Sequence, residues 1–173
     1  MTRALFLDRD GVINIDKQYL HRIEDFEFVA DIFDICKLFL SHGFIIVVIT
    51  NQSGIGRGYY TKDDFELLNS WMIDQFAKND IKISWTYFCP HTPQQNCVCR
   101  KPKRYMIDEA VKKFDIDVAG SVLIGDKDSD IICGKRAKIG KTIYINKDIN
   151  INSDINIENF KELKQRHSHL WSG

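Results

Sequence analysis

The sequence predicts an α/β fold, a doubly wound parallel sheet, and three observations carry that expectation. Apolar strand-like runs alternate with amphipathic helical patterns from end to end, the pattern of a parallel sheet with right-handed crossovers. The run FIIVVIT at 44–50 is continuously apolar and rich in β-branched residues, as in a strand covered on both faces. Acidic, hydroxyl and glycine residues gather just beyond the strands, where open parallel sheets have their ligand crevice.

Taken in order, ALFL (4–7) is the first strand and runs into FLDRDGVIN, where Asp8 and Asp10 lie two apart before a glycine turn. On an extended backbone, such residues face the same side. A helix is predicted over 31–42, where Ile32, Ile35, Leu38 and Phe39 recur at helical spacing and Gly43 stands just past the end. After strand 44–50, Thr61 with Asp64 three residues on approximates a capping box for helix 62–78. ISWTYF (83–88) is the third strand, and a helix near 104–114 precedes SVLIGD (121–126), the fourth. A helix over 128–138 and strand KTIYI (141–145) follow. In NKDININSDINIEN (146–159) the isoleucines alternate, which fits either an edge strand or a mobile tail.

At 173 residues the chain suits one domain with a single sizeable core. Its 24 basic and 24 acidic residues give zero formal charge, which argues against a nucleic-acid partner. Residues 1–7 run into the first strand without a secretory-signal pattern, and the apolar runs are too short to span a bilayer. A cytoplasmic protein without a membrane partner is expected, with monomer as the default.

Three of the five cysteines, Cys89, Cys97 and Cys99, crowd into one loop with His91. In a reducing compartment such crowding reads as metal binding rather than a disulfide framework. Three thiolates and one imidazole match a closed tetrahedral structural Zn²⁺ site. Cys36 and Cys133 fall in helical patterns and read as packed side chains.

Chemistry-bearing residues recur at later strand ends. TNQSGIGRG (50–58) offers the Thr50 hydroxyl and the amides of a glycine-rich loop for phosphate oxygens. RKPKR (100–104) supplies the compact charge of Lys101 and the planar fork of Arg100. GDKDSD (125–130) puts Asp126 at a strand end and Asp130 one helical turn on, hard carboxylates suited to Mg²⁺. Each segment alone also reads as an ordinary solvated turn; their order, one after another along the sheet, points to a phosphate-handling metal site.

FLDRDGVIN, VITNQSGIGRG, RKP and LIGDKDSD together resemble the four motifs of the haloacid-dehalogenase-like (HAD-like) phosphatases, in order and across the domain. The resemblance implies a Rossmann-like HAD fold. It makes Asp8 a nucleophile that forms an aspartyl-phosphate and Asp10 the acid and base. It places Mg²⁺ on Asp8, the main-chain carbonyl of Asp10, and Asp126, with Thr50 and Lys101 on the transferring phosphoryl group. Asp130 is expected to orient Lys101 or the metal's waters. About forty residues separate the first two motifs, too few for a large cap domain. The zinc loop (89–99) and residues 12–28 would then wall the pocket.

Together with Tyr19-Leu20-His21, FEFV, CPH, CRKP and GDK, the chain is similar to the histidinol-phosphatase and heptose-bisphosphatase branch, above all to the D-glycero-D-manno-heptose 1,7-bisphosphate 7-phosphatase family. That similarity implies hydrolysis of the sugar's 7-phosphate in heptose synthesis for cell-envelope polysaccharide. The implied substrate contacts are Asp16, Lys17, Gln18, Tyr19, Thr50, Asn51, Gln52, Ser53, Arg100, Lys101, Asp126 and Lys127. Arg100, Arg57 and Lys103 are candidate handles for the second phosphate. Histidinol phosphate is the alternative substrate, since the five residues between His91 and Cys97 also match the histidinol enzymes. Arg104-Tyr105 stands where the family often has Pro-Gly.

Overall fold

A computed structural model of the chain describes residues 1–147 and 151–171. Six parallel strands form one sheet: β1 (Arg3–Leu7), β2 (Phe44–Asn51), β3 (Ile83–Cys89), β4 (Val122–Gly125), β5 (Lys141–Ile145) and β6 (Ile155–Ile157). Their order is β3-β2-β1-β4-β5-β6. Order reverses between β1 and β4, and such a switch point opens a crevice at the carboxyl ends of the strands. Register pairs Leu7 with Val48 of β2 and with Ile124 of β4. The residues just past those positions therefore converge on one spot.

Side chains alternate across the sheet and feed two cores. Leu5 and Leu7 join Val48, Ile124, Phe39 and Phe76 on one face, while Ala4 and Phe6 join Val47, Leu123, Met106 and Ile131 on the other. The first core is covered by α1 (Ile32–Ser41) and the end of α3 (Lys62–Ala77); α4 (Tyr105–Phe114) and α5 (Asp128–Arg136) cover the second. The capping box forms as read: the Thr61 amide donates to Asp64 Oδ2 at 2.8 Å, and the Asp64 amide to Thr61 Oγ1 at 3.1 Å.

Three features extend the sequence reading. A four-residue α2 (Ser53–Gly56) follows β2 directly. Within 146–159, Ile155–Ile157 is the edge strand β6, paired with β5; residues 148–150 of that stretch lie outside the described residues. Beyond it α6 (Phe160–Arg166) is capped by Asn159, whose Oδ1 accepts from the Glu162 amide at 3.0 Å. Phe160 and Leu163 of this helix enter the first core, and Trp171 meets Phe39 edge-on with centroids 5.4 Å apart. Its apolar stripe is only two residues in seven, too sparse to show a period in the sequence.

Candidate active site

Asp8 follows β1 directly, and its amide donates to the Ile124 carbonyl of β4 at 3.3 Å. The chain then leaves strand geometry. The Arg9 carbonyl accepts the amides of Val12, Ile13 and Asn14 at 3.2, 2.8 and 3.2 Å, and Gly11 takes φ +89°. Asp8 and Asp10 do line one cavity, but this turn brings them there, not the strand alternation expected from their spacing. Arg9, between them, is buried rather than turned to solvent. Gly11 is required twice over: its φ suits glycine, and a Cβ there would lie 1.9 Å from Asp126 Oδ2.

Asp8 Oδ1 accepts the Arg9 amide at 2.8 Å and Lys101 Nζ at 3.0 Å. Lys101, 3 % exposed, also reaches Asp130 Oδ1 at 2.7 Å and the Ile49 carbonyl at 2.8 Å. Asp130 has a second task at the start of α5, where its Oδ2 accepts the amides of Asp126 and Lys127, both at 3.2 Å. Lys101 lies in the loop beyond the Cys/His segment, and Asn51 at the end of β2 holds it from both sides. The Lys101 amide donates to Asn51 Oδ1 at 3.0 Å, and Asn51 Nδ2 donates to the Lys101 carbonyl at 3.2 Å.

Carboxylate oxygens of Asp8, Asp126 and Asp130 lie within 4.8 Å of one another. Burial raises the Asp8 carboxyl to about 6, aided by the Asp130 charge and opposed by Lys101. Burial likewise raises Asp126 to about 8, with the charges of Asp8 and Asp130 adding to it. On Lys101, burial works against the ammonium, but Asp130 and Asp8 outweigh it and push its pKa up. Asp126 Oδ1 is buried with no hydrogen-bond partner. An orphaned carboxylate oxygen among crowded acids is costly without a cation, so these residues fit a divalent metal.

Asp10 is held from three directions. Arg9 Nη2 meets its Oδ1 at 3.1 Å, Asn14 Nδ2 the same oxygen at 3.0 Å, and Gln52 Nε2 its Oδ2 at 3.1 Å. Gln52 Nε2 also donates to Thr50 Oγ1 at 2.9 Å, while Gln52 Oε1 accepts the Tyr60 hydroxyl. Gln52 and Thr50 are thus committed to these contacts and buried, 2 % and 0 % exposed. Tyr60 fits because residue 54 is glycine; a Cβ there would meet the Tyr60 ring at 2.1 Å.

The cavity measures about 120 Å³, with Arg100, Lys127 and Ser129 completing its wall. Pockets for whole small molecules start near ~300 Å³, so this one accepts a single group such as a phosphoryl. A larger groove of about 560 Å³ between β6 and α6 has a mixed-charge lining, including Lys147, Glu158, Lys161 and Glu162, and none of the site residues.

Of the other expected substrate contacts, Asp16 and Lys127 pair at 3.4 Å. Asp16 Oδ1 also accepts the Gln18 amide at 2.9 Å, and Gln18 and Tyr19 take φ of 55° and 52°. Ser53 opens α2. Lys17 is drawn away, donating to the Asp25 carbonyl at 2.9 Å and pairing with Glu27 at 3.3 Å. Among the candidate phosphate handles, Arg100 donates to the His91 carbonyl at 3.3 Å. Arg57 lies 5.8 Å from the Tyr19 ring centroid, and Lys103 Nζ bonds the Cys97 carbonyl. Arg9, Asn14, Tyr60 and Ser129 are functional neighbours the sequence reading missed. Arg9 had a visible signal, as the one residue between the two motif aspartates.

At the end of β3, Cys89, His91, Cys97 and Cys99 place ligand atoms within 4.8 Å of one another. The sulfur separations are 2.7 Å (Cys89–Cys99), 3.5 Å (Cys89–Cys97) and 3.8 Å (Cys97–Cys99), and His91 Nδ1 lies 3.3 Å from Cys99 Sγ. Ligands about 2.3 Å from a tetrahedral centre lie roughly 3.8 Å apart, so the four atoms are already grouped for one ion. Burial opposes ionisation of Cys97, yet the Arg100 amide and the Cys89 thiol bring it down to about 6. This knot is fastened to the glycine-rich loop: the Gln52 amide donates to the Cys89 carbonyl at 2.7 Å and the Gly56 amide to the Pro90 carbonyl at 2.8 Å.

Comparison with known proteins agrees with this arrangement. Residues 98–159 match a HAD-hydrolase-like family model. A D-glycero-alpha-D-manno-heptose-1,7-bisphosphate 7-phosphatase from Campylobacter jejuni is 52 % identical over 142 residues, covering 82 % of this chain and 81 % of the relative. A D-glycero-beta-D-manno-heptose-1,7-bisphosphate 7-phosphatase from Helicobacter pylori is 49 % identical, covering 79 % and 80 %. The fold is shared with a D,D-heptose 1,7-bisphosphate phosphatase from B. bronchiseptica complexed with magnesium and phosphate. That structure aligns with a TM-score of 0.82 at 21 % identity over 95 % of this chain and 99 % of that one. With identity of this extent and the motif residues gathered at the switch point, the chain belongs to the D-glycero-D-manno-heptose-1,7-bisphosphate 7-phosphatase family of HAD-like hydrolases.

Proposed function

We propose that the chain is a Mg²⁺-dependent phosphatase of the cytoplasm that removes the 7-phosphate of D-glycero-D-manno-heptose 1,7-bisphosphate, in heptose synthesis for cell-envelope polysaccharide. The observation that carries the chemistry is the Asp8–Lys101–Asp130 chain, with contacts of 3.0 and 2.7 Å in a buried cavity of phosphoryl size. Asp8 Oδ1 receives both of that carboxylate's donors, so Oδ2 is the oxygen left to attack phosphorus. As the Asp8–phosphorus bond forms, the bond from phosphorus to the sugar oxygen breaks, and Asp10 protonates that leaving oxygen. Asp10, now a carboxylate, takes a proton from the water that attacks the aspartyl-phosphate. Phosphate leaves and both acids return to their starting states. Lys101 offsets charge on the phosphoryl oxygens, and Thr50, whose oxygen already accepts from Gln52, has its hydroxyl hydrogen to donate.

Asp8, Asp126 and the main-chain carbonyl of Asp10 are the proposed Mg²⁺ ligands, with Asp130 orienting Lys101. The crowded acids and the orphaned Asp126 Oδ1 support a cation here, and the neighbour complexed with magnesium supports the choice of ion. When bound, the ion neutralises charge between two anions that would otherwise repel. Cys89, His91, Cys97 and Cys99 are proposed to hold Zn²⁺, whose closed ligand set makes it structural. Arg100 and Lys127 at the cavity wall favour a substrate with a second anionic group over one with a cationic amine.

The test is kcat/KM for both anomers of heptose 1,7-bisphosphate against histidinol phosphate. A preference of at least ~100-fold for a bisphosphate is expected, about 2.7 kcal/mol in transition-state binding; a preference for histidinol phosphate would overturn the reading. The two relatives above are named for opposite anomers, so the same assay also assigns the anomer.

Mg²⁺ must compete with the protons held by Asp8 and Asp126, so its apparent affinity is expected to rise across about 6 to about 8. Linkage fixes the sign for stability. Both carboxyls are raised above 3.8, so without metal their contribution is full below that value and is lost as pH rises through the native values. The Tm gain on adding Mg²⁺ should therefore grow with pH, and thermal melts giving a pH-independent gain would rule this site out.

A further inference from the structure

We propose that Arg9 is a positioning residue that fixes Asp10 and the 16–20 loop with a single guanidinium, so that the proton-transfer group and the loop whose Asp16 pairs with the cavity-wall Lys127 are set together. The inference rests on the reading of Asp10 as acid and base. Arg9 is a large, fully buried side chain, 1 % exposed. Its Nη2 donates to Asp10 at 3.1 and 3.3 Å and to the Leu20 carbonyl at 2.7 Å, and its Nε meets Asp10 Oδ1 at 3.3 Å.

The loop needs such a hold. Gln18 and Tyr19 are consecutive non-glycine residues with left-handed φ of 55° and 52°, which persist only when the surroundings determine them. Leu20 ends this excursion with a buried side chain, and its carbonyl is the point where Arg9 grips it. On the other side, Asn14 and Gln52 fix Asp10, and their remaining side-chain bonds go to Ile15, Thr50 and Tyr60. Arg9 bonds both Asp10 and the loop.

Packing does not account for the residue. Arg9 Nη1 is buried without a hydrogen-bond partner, and an apolar side chain would fill the space without that penalty. Lysine would lose the Nε contact with Asp10 Oδ1 and the rigid plane that aligns it with Nη2.

The test uses the full-length Mg²⁺-loaded enzyme and its Arg9→Met and Arg9→Lys variants. The rate of the first turnover, Asp8 phosphorylation, is measured with the alkyl phosphate substrate and with p-nitrophenyl phosphate. The nitrophenolate leaves without a proton, so it does not draw on the acid form of Asp10. Expected is a loss of roughly 100-fold with the alkyl phosphate, the scale of a displacement of about 1 Å at a reacting group, and only a few-fold with the aryl phosphate. KM for the alkyl substrate should rise as the loop loosens.

If Arg9→Met does not fold, Arg9→Lys carries the same comparison, since it keeps a buried cation and loses the Nε contact with Asp10. Equal losses with both leaving groups, or unchanged rates, would overturn the proposal. Should the wild type prefer histidinol phosphate, the substrate reading fails, yet that compound is also an alkyl phosphate and the Arg9 comparison runs on it unchanged.

Discussion

Asp8→Asn is expected to abolish turnover, lowering kcat by about 10⁴-fold or more as removal of a covalent nucleophile does, while leaving the protein folded. An amide keeps the oxygen that accepts the Arg9 amide and Lys101, so the loop and the lysine stay in place. What is lost is the free electron pair on an anionic oxygen able to attack phosphorus. Stability should hold or rise without metal. Burial and the Asp130 charge raise the Asp8 carboxyl to about 6, so at neutral pH its ionised form opposes folding and a neutral amide relieves that. The measurement pairs acid-quench trapping of phosphoenzyme with a thermal melt. Full activity without trappable phosphoenzyme in a well-folded Asp8→Asn protein would end the covalent mechanism, and phosphoenzyme trapped in that variant would remove Asp8 as the nucleophile.

Cys97→Ser is expected to cost stability on the order of several kcal/mol, together with bound zinc, because metal binding in such loops supplies folding energy outright. Apart from a short turn capped by Thr92 and Gln95, polar contacts to main-chain carbonyls are what else shapes residues 90–99. Val98, the strongly apolar residue between the ligand positions, is 68 % exposed, so the segment has no apolar centre of its own. The loss should reach the chemistry as well. Cys99 stands two residues before Lys101, and the Gln52 and Gly56 amides are fastened to carbonyls at the start of the same loop. Slackening the knot therefore loosens both sides of the cavity. Zinc content by atomic spectroscopy, a melt, and kcat with saturating Mg²⁺ test this together. A zinc-free variant as stable as the wild type would remove the structural role.

Much of this was legible because the sequence periods are physically forced. FIIVVIT could satisfy its backbone groups and an apolar surface on both faces only as an interior strand, and it lies in β2 of the sheet. Thr61 and Asp64 announce a helix start because each side chain satisfies the other's amide. Less was legible where a residue's meaning depends on distant partners. Asn51 and Gln52 sit in a motif that suggests substrate contact, yet their side chains are taken up by Lys101, fifty residues on, and by Asp10 and Tyr60. Lys17 adjoins Asp16 in sequence, but Glu27 draws its ammonium away from the cavity. The helix at Phe160 was hidden because its two core side chains meet a core assembled from other segments.

From the sequence alone came the alternation of strand and helix, the parallel sheet, the Cys/His knot, and the order of acid pair, hydroxyl, lysine and acid cluster along the chain. These are local quantities: periodicity, spacing and side-chain type act over a few residues, and each leaves its mark in one window. The tertiary structure decided which groups meet. It brought Lys101 between Asp8 and Asp130, stranded Asp126 Oδ1 as a buried oxygen in need of a cation, and turned Arg9 inward to join Asp10 to Leu20. Burial and charge at a site depend on segments far apart in sequence, and only the register of β1 with β2 and β4 sets them side by side.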